Sequence, residues 1–72
     1  MAKKIDMDAV MEFIRETLEA TKDSNGDIHL TCCQVVAEQF NLWEPMDNGG
    51  EGFPIWLSRI IAGEMNDMGI KH

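Results

Sequence analysis

Positive charge is scarce in this chain. Its 72 residues hold thirteen Asp and Glu against six Lys and Arg, a formal net charge of −7. The imbalance is spread out: residues 1–27 carry seven acids and four bases, residues 28–72 six acids and two bases. A surface of this sign repels nucleic acid and anionic lipid at long range, because both are bound chiefly by cations meeting phosphate. Also missing is any run of roughly eighteen apolar residues, the least a membrane-spanning helix needs. The opening MAKKIDMD has two lysines but no apolar segment behind them, so it does not read as a signal peptide. Cysteine is limited to the adjacent pair Cys32 and Cys33, which cannot build a disulfide framework and fits a reducing interior. Repeats and low-complexity tracts are lacking as well. The expectation is a single cytoplasmic domain over residues 1–72 with no membrane partner.

Three amphipathic segments with clear punctuation remain. Asp6 is placed to cap a helix over 7–22, with Ile5 and Val10 as a hydrophobic staple. Met7, Val10, Met11, Ile14, Leu18 and Thr21 recur at helical spacing, and Asp8, Glu12, Arg15, Glu16 and Glu19 cover the opposite face. The turn signal DSNG follows, and then Ile28-His29-Leu30 reads as one short strand at most. Thr31 with Gln34 forms a capping box, and Leu30 with Val35 a second staple, opening a helix over 32–40. Cys33, Val36, Ala37 and Phe40 share its buried face, and Asn41 stops it in the left-handed conformation with Leu42 folding back. After a loop at 43–52 (WEPMDNGGEG begins at Trp43), Pro54 suits the first turn of a third helix over 54–68. Its apolar stripe is Phe53, Leu57, Ile60, Ile61, Met65 and Met68, and Gly69-Ile70 is a good stop. Gly63 inside this helix costs about 1 kcal/mol relative to alanine, which predicts close packing there, with Trp56 nearby. The fold class expected is all-α or mainly α, a three-helix domain with at most one short strand near Ile28–Leu30.

Chemistry finds little to work with. Cys32 and Cys33 would open a helix whose dipole favours a thiolate, with His29 three residues back as a base. The helical wheel, however, sends Cys33 into the core and leaves Cys32 near its edge, where both act as helix-start residues. His29, Cys32 and Cys33, even with His72, lack the paired spacing of zinc sites, and adjacent cysteines point about 100° apart on a helix. DSNGDI imitates the middle of a calcium loop, but the end ligands would be Thr21 and Cys32. The glycines of DNGGEGF sit among Glu44, Asp47 and Glu51 with no cation, so they repel phosphate. No catalytic residue, cofactor or metal is therefore expected, and the chain does not read as an enzyme. The binding candidates are the acidic stripe Glu12, Glu16 and Glu19, and the anchors Trp43, Met46 and Trp56. Glu64 projects from the apolar stripe of the third helix and reads as a rim residue that snorkels to water or pairs with a nearby base.

Ala37, four residues before Asn41-Leu42, is similar to the first half of a helix-turn-helix, where a small residue lets the second helix pack closely. The segment PIWLSRIIAGEMNDMGI at 54–70 resembles the next helix of winged-helix domains. The order helix, short strand, capped helix, longer helix matches that family over most of the chain, although the three residues after Gly69 are not expected to form the hairpin wing. The resemblance implies a groove-facing side made of Ile55, Ser58, Arg59, Ala62 and Asn66, with Arg59 reading guanine and Asn66 adenine. A regulator of this kind would act as a dimer, and Lys3, Lys4 and Lys71 would add phosphate contacts only if the chain ends fold toward the same groove. The charge balance places a non-enzymatic regulatory or adaptor module that binds a protein partner first, and a DNA-binding transcriptional regulator second.

Overall fold

The computed structural model describes residues 5–70. Lys3, Lys4, Lys71 and His72, brought in above as phosphate contacts or a metal ligand, lie outside the described residues. The elements run α1 Met7–Thr21, α2 Ile28–Phe40, β1 Glu44–Pro45, β2 Glu51–Gly52 and α3 Ile55–Asp67. Every helix touches both others, and the body measures 37 × 28 × 17 Å. With a helix about 10–12 Å across, so thin a body has room for only one central layer of side chains. That layer is Val10, Ile14 and Leu18 from α1, Cys32, Cys33, Val36 and Ala37 from α2, Leu42, and Leu57, Ile61 and Met65 from α3. Phe13 of α1 meets Phe40 of α2 edge-on, with ring centroids 5.6 Å apart.

The first helix begins where its cap predicts. Asp6 Oδ1 accepts from the N–H groups of Asp8 (3.1 Å) and Ala9 (3.3 Å). The second begins a turn earlier than expected. Asp27, not Thr31, is its N-cap, and Oδ1 of Asp27 accepts from the Leu30 N–H at 3.0 Å. Residues Ile28–Leu30 are therefore helix rather than strand, and the Thr31 N–H already bonds to the Asp27 carbonyl at 3.0 Å. Aspartate caps at least as well as threonine, and the added turn brings His29 against α3. Thr31, Leu30 and Val35 are consequently exposed, with no capping box or staple to make.

The remaining stops hold. Asn41 takes φ 54°, and the Leu42 N–H returns to the Ala37 carbonyl at 2.9 Å. Gly69 takes φ 72°, and the Ile70 N–H reaches the Met65 carbonyl at 2.8 Å. The segment 43–52 is more ordered than a plain loop. β1 and β2 pair antiparallel, Glu44 opposite Gly52 and Pro45 opposite Glu51. The turn closes through the Met46 N–H to the Gly50 carbonyl (2.8 Å) and Gly49 at φ 88°. Among the described residues the strands are these two, and none forms at 28–30, where at most one short strand was expected. Gly63 also departs from expectation: a Cβ there would meet nothing within 4 Å, so no neighbour packs against it.

Two outcomes follow for denaturant unfolding. Asp27→Ala should cost about 1 kcal/mol while Thr31→Ala stays within about 0.5 kcal/mol, and the reverse order would restore Thr31 as the cap. Gly63→Ala should gain about 0.5–1 kcal/mol, since it adds helix propensity without a clash.

Candidate interaction surfaces

The acidic stripe of α1 forms one wall of a groove. Glu12, Glu16 and Glu19 recur at i, i+4 and i+7, so they line one side of the helix. Glu64 and Asp67, three apart near the end of α3, supply the facing wall. Between them lies an open groove of about 830 Å³ lined by Arg15, Glu16, Glu19, Ala20, Glu64, Asp67 and Met68. Ala20 has only a methyl group to fill it, and Met68 gives it further apolar surface. Glu12 lies outside this lining.

Arg15 crosses the groove. Its Nε donates to Glu64 Oε1 at 2.6 Å, joining α1 to α3. Glu64 keeps only 14% of its side chain exposed and Arg15 keeps 61%, so of the two readings for Glu64, water or a base, the structure has the base. The hydrogen bond to Glu64, then the charge of Glu64, raise the Arg15 pKa, and Asp67 adds to the same effect. Glu19 is held by Lys22 at 2.7 Å, an exposed i,i+3 pair. Four carboxylates against one guanidinium leave the lining with a net charge of −3.

The helix ends deepen this negative field. Glu19 lies in the last turn of α1, Glu64 and Asp67 in the last turn of α3, and neither turn holds a basic residue. Each such end already carries roughly half a negative charge from the aligned dipoles of its peptide groups. Carboxylates there work against the helices that bear them. From sequence Asp67 and Ala20 were not singled out and Met68 was read only as part of the apolar stripe, because only the approach of α1 to α3 gives them a common role.

The aromatic candidates are elsewhere. Trp43 and Trp56 line a small depression with Ile5, Leu42 and Pro54, at the opposite end of α1. At about 1.5 Å per residue, that is some 15 Å or more from Glu16 and Glu19. Both indoles are half-buried against the core. The Trp43 ring packs on Phe53 with centroids 5.2 Å apart, and its N–H donates to Glu38 at 3.3 Å. Met46 is exposed on the hairpin, where its side chain lies across Gly52.

On α3 the nucleic-acid candidates separate. Arg59 and Asn66 face outward with Ile55, which is 72% exposed. Ser58 is half-buried and turned toward α2, with its carbonyl 3.0 Å and its Oγ 3.3 Å from His29 Nε2. Since a carbonyl only accepts, Nε2 of His29 carries a proton and donates it. Among the described residues Arg15 and Lys22 are in ion pairs and Arg59 is not.

Both cysteines are sealed in the core, which corrects the placing of Cys32 at its edge. Because α2 packs on both α1 and α3, its buried arc is wide enough to take in both residues. Burial, then the neighbouring Cys33, pushes the Cys32 thiol up to about 12. Burial, then Asp27, pushes Cys33 to about 11. His29 Nε2 lies 4.0 Å from Cys33 Sγ but is committed to Ser58. The arrangement keeps both thiols protonated. Among the described residues no group of three His, Cys, Asp or Glu is placed to hold a metal ion, and no helix is long and apolar enough to cross a membrane.

No protein family, curated protein or solved structure matches this chain.

The thiols set an alkaline limit. An unfolded thiol ionises near pH 8.5, well below either folded value, so from there upward the unfolded state releases protons first. Stability should therefore fall as pH rises from about 8.5 toward the folded values, a window free of tyrosine ionisation because the chain has no tyrosine. Denaturation midpoints between pH 7.5 and 10.5 should show this slope, and Cys32→Ala/Cys33→Ala should flatten it. Native-state alkylation near pH 7 should be slower than for a free thiol, and rapid labelling of Cys32 would contradict its burial.

Proposed function

We propose that this chain is a non-enzymatic regulatory or adaptor module that binds a protein partner through the acidic face of α1 and α3. The carrying observation is the groove itself, apolar along Ala20 and Met68 and bordered by Glu16, Glu19, Glu64 and Asp67. Protein interfaces use such a combination, with apolar surface for burial and complementary charge for orientation and rate. The packing of α2 and α3 serves as a helix-turn-helix-like scaffold, in which the β1–β2 hairpin replaces the usual short turn. The burial of both thiols and the engagement of His29 with Ser58 support a binding rather than a catalytic role.

A second reading, a DNA-binding regulator using α3, draws support from the outward placing of Arg59 and Asn66. Its weakness is electrostatic, because phosphate neutralisation supplies much of DNA affinity and this helix has one cation.

Two measurements separate the readings. A labelled random-sequence duplex should show no anisotropy change with this protein at low salt. Affinity capture from the native host should retain a partner with Arg59→Ala and lose it with Glu16→Lys/Glu19→Lys. Salt-sensitive duplex binding that Arg59→Ala abolishes would overturn the protein-binding reading in favour of the second.

A further inference from the structure

Resting on that reading, we infer that the α1–α3 groove takes a cationic amphipathic helix, with its Lys and Arg facing Glu16, Glu19 and Asp67 and its apolar seam over Ala20 and Met68. Three observations fix the chemistry of the occupant. The lining has a net charge of −3 around an apolar surface, complementary to a helix that carries cations beside a small hydrophobic stripe. The chain already seats a guanidinium in this groove, since Arg15 donates to Glu64 at 2.6 Å. The groove also gathers the last turns of two helices, with no basic residue inside either turn, although Lys22 caps α1 and holds Glu19. The backbone dipoles of both helices attract the same cations as the carboxylates do.

The placement of the acids argues for a role outside folding. Carboxylates are favourable near helix N-termini and unfavourable near C-termini. Here Glu19, Glu64 and Asp67 occupy last turns, and among the described residues Glu19 and Glu64 are the ones of the three in an ion pair, with Lys22 and Arg15. An arriving Lys or Arg would relieve the remaining repulsion. A local choice that opposes the fold is a common mark of a functional surface.

The occupant is short. The α1 wall runs from Arg15 to Ala20, about 8 Å along the helix axis, which matches one to two turns of the bound helix. One or two apolar side chains flanked by cations fill such a span.

The test uses the full chain and a synthetic amphipathic helix with a leucine seam flanked by Lys and Arg, titrated calorimetrically at low salt. Glu19→Gln/Asp67→Asn removes two groove charges, and Asp47→Asn/Glu51→Gln removes two from the hairpin; circular dichroism verifies that both variants fold. The inference expects the groove variant to weaken binding at least about tenfold and the hairpin variant less than about twofold. A peptide with glutamine in place of its cations should not bind. Equal weakening by the two variants would overturn the site, leaving only general attraction to an acidic surface. Failure of the cationic helix to bind would overturn the inference. The broader reading would survive that result if host capture still depended on Glu16 and Glu19, and would fall with it if capture did not.

Discussion

Eleven buried side chains hold three helices together, and the thinness of that single layer governs the rest of the molecule. No position in it is polar, and no buried side-chain N or O among the described residues lacks a hydrogen-bond partner. Small domains run on narrow stability margins, so the core has little room for ionised groups. Cys32 and Cys33 fit this constraint as compact apolar side chains with protons held on sulfur. Polar ties are left to the margins of the layer, where His29 joins α2 to Ser58 of α3 and Arg15 joins α1 to Glu64 of α3.

The same constraint pushes every acid outward. Thirteen carboxylates on so small a body repel one another, and their arrangement determines where the field is strongest. Asp6 and Asp27 use N-termini, where a carboxylate supports the helix. Glu19, Glu64 and Asp67 do the opposite at C-termini, and the approach of α1 to α3 collects them into one groove. Acids at the starts of helices thus support the fold, and Glu64 at an end ties α3 to α1 through Arg15. Under the proposed function the acids at the ends are the surface offered to a cation.

Much of the fold was legible in local residue chemistry. Asp6 as a cap, Asn41 and Gly69 as left-handed stops, and the stripes of α1 and α3 are each fixed by a few neighbours in the chain. The start of α2 was not, because Asp27 and Thr31 are both competent caps four residues apart. Tertiary packing favours the earlier one, which places His29 on α3 and both cysteines under cover. The hairpin escaped notice because two-residue strands leave no alternating pattern to read. For the proposed binding surface, the stripe Glu12, Glu16 and Glu19 was visible as a stripe, and the rim position of Glu64 left water and a basic partner both open. The groove was hidden, since Arg15 and Glu64 lie 49 residues apart and the space between α1 and α3 depends on how those helices approach.

Whether the carboxylates at the ends of α1 and α3 serve binding or folding can be settled without any partner. The measurement is the unfolding free energy of Glu19→Gln/Asp67→Asn in denaturant near neutral pH and low salt. If these acids oppose the helices that carry them, the variant will equal or exceed the parent in stability, by up to about 1 kcal/mol. A loss of more than about 1 kcal/mol would show that they hold the fold together, and the case for a groove built to receive a cation would fail.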